Sequence, residues 1–82
     1  MVLVDVYVPS VNCTYDFQLD EEVRIGLLIE EIGEMVCRRE HCKLDGAMEK
    51  LLLCSMDNRE IIPRNTTLTE YGVKTGARLM LL

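Results

Sequence analysis

Val2-Leu3-Val4-Asp5-Val6-Tyr7-Val8 decides the fold. Its valines recur at every second position, with Leu3, Asp5 and Tyr7 between them, which is the period of a strand with one face buried. Pro9 ends that strand, since its ring nitrogen cannot donate to a ladder. A polar turn around Ser10 and Asn12 follows, after which Cys13, Tyr15, Phe17 and Leu19 alternate with Thr14, Asp16 and Gln18. These residues make a second strand, hairpinned to the first.

Downstream the period changes. Asp20 is a candidate N-cap, and Glu21 and Glu22 stand where unpaired helix amides and the macrodipole favour negative charge, so a helix is predicted to begin here. Ile25, Leu28, Ile29, Ile32 and Val36 form one apolar stripe, with Glu30, Glu31 and Glu34 facing away and Arg38 and Arg39 near the C-terminal end. Gly26 and Gly33 fall on nearly one side of this helix. Either they permit close approach to a sheet or they are tolerated at about 1 kcal/mol each.

Residues Glu40 to Glu49 carry no clear period and read as a connecting loop. Lys50 to Cys54 returns to strand character. Asp57-Asn58 is a turn, and Ile61-Ile62 a short strand closed by Pro63. The segment Thr66 to Gly72 reads as a brief helical turn ending on a left-handed glycine. Thr75-Gly76 is another turn, and Arg78 to Leu82 the last strand, with Leu79 and Leu81 on the face opposite Met80 and Leu82. One long amphipathic helix and several one-sided strands give an α+β fold: a mixed sheet of ββαββ order, closed by a last strand parallel to the first, packed on one main helix. The 82 residues make a single domain, 1–82.

Composition excludes several functions. A formal charge of −5 with scattered basic residues is wrong for phosphate recognition, so no nucleic acid is expected as a partner. The same acidity disfavours anionic lipid, and no apolar run is long enough to span a bilayer, so direct membrane insertion is not expected. The N-terminus lacks the basic start and unbroken apolar stretch of a secretory signal, which predicts a cytoplasmic protein whose four cysteines, Cys13, Cys37, Cys42 and Cys54, stay reduced.

With that element order in hand, the ending Leu68-Thr69-Glu70-Tyr71-Gly72-Val73-Lys74-Thr75-Gly76-Ala77-Arg78-Leu79-Met80-Leu81 resembles ubiquitin-like β-grasp domains over essentially the whole chain. Tyr15-Asp16-Phe17 leading into Arg24-Ile25-Gly26-Leu27-Leu28-Ile29 narrows the resemblance to the YukD/EsaB family, small ubiquitin-like proteins encoded with bacterial type VII secretion systems. That resemblance implies a cytoplasmic accessory component that docks to membrane-anchored proteins of the secretion machine and is recruited by them to the inner face of the membrane. Ubiquitin and the sulfur carriers of this fold expose a tail ending in Gly-Gly. Here the chain stops at Leu81-Leu82, whose bulk is expected to exclude adenylation and conjugation. A modifier or sulfur carrier without its Gly-Gly tail is the alternative.

A docking protein needs an exposed apolar patch, and strand alternation nominates Leu3, Tyr7, Leu52, Met80 and Leu82 on the open sheet face. The competing reading is that these are ordinary surface residues, since isolated exposed apolar side chains are normal. A homo-oligomer is compatible with the same pattern. Cys37, His41 and Cys42 form the one cluster with metal-ligand chemistry. Cys37 and His41, four apart, share a helix face, but a closed zinc site needs four ligands, and only distant Cys13 or Cys54 could complete it. A buried Cys37 and a solvated His41 are the plainer reading, and no metal or cofactor is expected. A small metal or redox sensor built on Cys37 and Cys42 is a further alternative. Neighbours on a helix point about 100° apart, so His41 does not activate Cys42 as a nucleophile. There is no phosphate-binding glycine loop and no Ser-His-Asp set, so the chain is not expected to be an enzyme.

Overall fold

In the structure, a computed structural model describing residues 1–40 and 50–82, β1 (Val2–Val8) and β2 (Cys13–Leu19) pair antiparallel from Val2 opposite Leu19 to Val8 opposite Cys13. The turn between them is fixed by Asn12, which takes a left-handed φ of 52° and accepts a 2.9 Å hydrogen bond from the Tyr7 hydroxyl. Asparagine tolerates that backbone region better than most residues.

The main helix, α1, runs from Ile25 to Glu40, so it starts four residues later than the Asp20 cap predicts. Asp20 caps a turn instead: its carboxylate accepts from the Glu22 amide at 2.9 Å, and its carbonyl from the Val23 amide at 3.2 Å. Arg24 then bridges to Thr67, and the amides of Ile25 and Gly26 donate to the carbonyls of Thr66 and Arg64, at 2.8 and 3.1 Å. The first two orphan donors of the helix N-terminus are therefore satisfied by a segment some forty residues away in sequence, which no local capping signal reveals. Gly26 faces this same segment rather than the sheet. A Cβ there would lie 3.6 Å from the Arg64 carbonyl oxygen, an ordinary contact, so close approach does not require glycine.

β3 (Leu53–Ser55) is shorter than the predicted Lys50 to Cys54 strand, although Leu52 extends its ladder by exchanging two hydrogen bonds with Leu82, at 2.9 and 2.8 Å. β4 is Glu60–Ile61; just past it the Ile62 amide still donates to the Leu53 carbonyl at 2.8 Å, and its side chain enters the core. The helical turn is α2 (Leu68–Tyr71), with a full capping box between Thr67 and Glu70 and a left-handed Gly72 at φ 91° closing it. β5 (Arg78–Leu81) lies parallel to β1 and antiparallel to β3, giving a five-stranded mixed sheet in the order β2-β1-β5-β3-β4. Beyond ββαββ, the chain adds α2 and the closing strand β5. The loop expected over Glu40 to Glu49 lies, apart from the helical Glu40, outside the described residues.

One face of the sheet and the stripe of α1 share the core. Val4, Val6, Val8, Phe17, Leu19, Leu53, Leu79 and Leu81 meet Ile25, Leu28, Ile29, Ile32 and Val36, with Ile62 and Leu68 closing one end. Each such side chain contributes roughly 1.5–3 kcal/mol relative to exposure. Tyr15 sits at the rim, where its hydroxyl donates to Glu40 and Arg39 lies 5.7 Å over its ring. The last turn of α1 is thereby tied to β2. The hydrogen bond to Glu40, with burial, pushes the Tyr15 phenol well above its ordinary value.

Candidate docking surface

Among the described residues one long helix covers one face of the sheet and no element covers the other, and the strand registers say which side chains share that second face. Residues directly opposite on neighbouring strands point the same way. Tyr7 pairs with Thr14 on one side and Met80 on the other; Met80 pairs with Cys54, and Cys54 with Ile61. One row of the outer face therefore reads Thr14, Tyr7, Met80, Cys54, Ile61. Leu52 and Leu82 form the flanking row at one side, 37% and 51% exposed. On the other side the row is Asp16, Asp5 and Arg78, followed by Met56, whose amide donates to the Arg78 carbonyl at 2.9 Å.

The structure thus brings Tyr7, Leu52, Met80 and Leu82 together. Leu3 does not join them. Though exposed, it stands opposite Gln18, beyond the Asp5 row and about 13 Å from Tyr7 along the strand. Three residues absent from the sequence-based set belong with the cluster: Cys54, Met56 and Ile61. Two of them continue a period already used, because Leu52, Cys54 and Met56 are successive alternate positions. Ile61 could not be separated from Ile62 by period, since the doublet is apolar at both parities.

Cys54, Met56, Ile61 and Met80 line a shallow groove of about 390 Å³, bounded by Ser55, Arg59 and Glu60. A second groove, of about 330 Å³, is lined by Asp5, Tyr7, Thr14, Met56, Arg78 and Leu79. Met56 lines both. Two flexible thioethers at the centre of a groove suit an apolar surface that must conform to an incoming side chain. Burial pushes the Cys54 thiol up, which keeps it a neutral part of the floor and not a nucleophile.

Charge around the grooves is unevenly satisfied. Asp57 accepts from the Arg78 amide at 3.1 Å and from its guanidinium at 3.2 and 3.3 Å, and these bonds hold the carboxyl below the usual carboxylate range. Tyr71 donates to Glu60 at 2.8 Å, which raises its phenol. Asp5 and Asp16 are directly opposite each other across the hairpin. Hydrogen bonding to Asp16, and then repulsion from it, raise the Asp5 carboxyl above its ordinary 3.8.

Of the Cys37, His41 and Cys42 cluster, only Cys37 is described: it is half-buried on α1, while His41 and Cys42 lie outside the described residues. Cys13 and Cys54 are on β2 and β3, with β1 and β5 between them, and on opposite faces of the sheet, so they cannot complete one site together. Among the described residues, no group of three His, Cys, Asp or Glu side chains is placed to hold a metal ion. No helix among them is long and apolar enough to cross a membrane.

The family model described as "WXG100 protein secretion system (Wss), protein YukD" matches residues 2–81. No curated protein matches the chain. Among solved structures, the EccD5 ubiquitin-like domain from Mycobacterium xenopi is similar at 23% identity and a TM-score of 0.80, over 99% of this chain and 91% of that one. A chain of the MycP5-free ESX-5 inner membrane complex is similar at 21% identity and a TM-score of 0.81; 99% of this chain is covered, but only 20% of that much longer one. A ubiquitin-like domain of an Arabidopsis thaliana protein is similar at 17% identity and a TM-score of 0.70, over 99% of this chain and 74% of that one. At these identities the structural likeness shows the ubiquitin-like fold alone.

Proposed function

This chain belongs to the YukD family of the WXG100 protein secretion system, and from that membership we propose that it is a non-catalytic accessory component of the secretion machinery. In this reading it acts by docking the outer face of its sheet onto a membrane-anchored component, which recruits it to the inner side of the membrane. The observation that carries the reading is the contiguous apolar cluster of Tyr7, Leu52, Met56, Ile61, Met80 and Leu82 on a face that no element among the described residues covers. Its groove walls are apolar where a free-standing sheet face is ordinarily polar. Structural likeness to a domain from a chain of an inner membrane complex supports the choice of partner class.

The test is site-specific photo-crosslinking in cells that carry the secretion system. A crosslinker at Leu52 or Ile61 is expected to capture a membrane-anchored component of that system, whereas one at Glu34 on the exposed side of α1 is not. Capture from Glu34 alone would refute the docking face. Normal secretion after deletion of the gene would remove the accessory role.

A further inference from the structure

Among the described residues, the acidic pair beside the apolar cluster has no cation to itself. Asp5 and Asp16 face each other across the hairpin, and like charges in that position destabilise a sheet. Among the described residues, the one basic side chain in register with them is Arg78, opposite Asp5. Arg78 is already engaged: its Nε and Nη2 both point to Asp57, whose second oxygen also holds the Arg78 amide. Along the strands, the same-face neighbours of the pair are Leu3, Tyr7, Thr14 and Gln18, none of which carries charge. Meanwhile the groove containing Asp5 shares Met56 with the groove of Cys54, Ile61 and Met80. An apolar slot and an acidic pair whose neighbouring cation, among the described residues, is already shared with Asp57 therefore adjoin on one surface, with Met56 common to both grooves.

We propose that the outer sheet face receives a segment of a partner protein carrying a large apolar side chain for the Met56, Ile61 and Met80 groove and an arginine or lysine for Asp5 and Asp16. This rests on the outer face being the docking surface and adds the chemistry of what docks there. Arginine suits the pair best, because its planar fork can engage two carboxylates while its stem lies along Tyr7 and Met56. Charge argues against a second copy as occupant: it would bring the same acidic pair, on a chain of net charge −5, to a surface already short of cations.

The test begins with a displayed library of random twelve-residue peptides selected on the full chain. Enriched peptides are then synthesised and titrated by fluorescence anisotropy against wild type, the Asp5→Asn/Asp16→Asn double variant and Met80→Asp. The expected result is enrichment of Arg or Lys within a turn of a large apolar residue. Affinity should fall about tenfold for the double variant, about as much when the peptide's basic residue becomes glutamine, and little further when both changes are combined. Weaker binding at higher salt should accompany it. Peptides without basic bias, or unchanged affinity for the double variant while Met80→Asp abolishes binding, would overturn the acidic anchor and leave the docking face standing. Binding that survives both Met80→Asp and Ile61→Asp would overturn the docking face itself. Failure to enrich any peptide, or self-association of the chain that Met80→Asp dissolves, also overturns the proposal, the latter in favour of a second copy.

Discussion

Ile61 and Ile62 are neighbours of identical chemistry, and the structure assigns them opposite tasks. Ile61 is 57% exposed on the outer face, and Ile62 is 1% exposed inside the core. Truncating Ile62 to alanine removes three buried carbons, worth about 0.8 kcal/mol each on transfer, and leaves a cavity, so the cost is roughly 2–5 kcal/mol. For 82 residues the total stability is of order 4–12 kcal/mol, which makes that loss a large share of it. At about 4–8 °C per kcal/mol in a domain of this size, the thermal midpoint should fall by some 10 °C or more. Ile61→Ala, with most of its side chain already in water, should cost less than about 1 kcal/mol. Urea titration followed by circular dichroism gives both values, with equal slopes showing that the unfolded states are comparable. In crosslinking or peptide titration the order reverses: Ile61→Ala should weaken docking while the folded Ile62→Ala protein retains it. Equal destabilisation by the two substitutions would refute the face assignment on which the docking surface rests.

Thr67→Ala removes one half of the capping box at α2, where the Thr67 hydroxyl and the Glu70 carboxylate each accept the other's amide at 3.1 Å; a loss of about 1 kcal/mol is expected in the same titration. Gly72→Ala meets no atom within 4 Å of the new Cβ, so its cost is conformational, about 1–2 kcal/mol from holding alanine at φ 91°, and Gly72→Asn should cost less. For Asp5 the sign follows from its raised folded-state value. Between its ordinary 3.8 and that higher value the native state binds more protons than the unfolded one, so stability falls as pH rises through this window and the penalty is complete above it. Asp5→Asn should therefore raise the thermal midpoint at pH 7, with the advantage disappearing as pH drops below 3.8; a midpoint lowered at pH 7 would contradict net repulsion within the pair.

Most of the scaffold is legible in local periods. The valines of β1, the aromatic alternation of β2 and the stripe from Ile25 to Val36 each name their buried face without reference to the rest of the chain. The helix start is not legible, because Asp20 to Glu22 carry the residue types of a cap while the real partners of the first helical amides are the carbonyls of Arg64 and Thr66. The docking cluster is legible in part. Alternation finds Tyr7, Leu52, Met80 and Leu82, but the isolation of Leu3 and the inclusion of Ile61 are matters of register between strands, which a one-strand period does not contain. The same holds for Asp5 and Asp16. Each reads alone as a solvated strand residue; only the hairpin register places them face to face.

That register locates function by contrast between the two sides of one sheet. On the helix side, Ser55 is the only buried polar side chain among the described residues, and its hydroxyl accepts from the Asn58 amide at 3.2 Å. On the outer side two liabilities sit in adjoining rows: a methionine-lined apolar groove open to water, and two carboxylates opposed across a ladder. Neither helps the isolated domain. A polar residue at Ile61 or Met80 would improve solubility, and a lysine at either Asp5 or Asp16 would turn repulsion into a favourable cross-strand pair. A partner that fills the groove and supplies a cation to the pair relieves both at once, and the relief appears as affinity. The destabilising features of the free chain and the recognition features of the bound one are then the same atoms, which is why Asp5→Asn is expected to stabilise the fold while, with Asp16→Asn, weakening the complex.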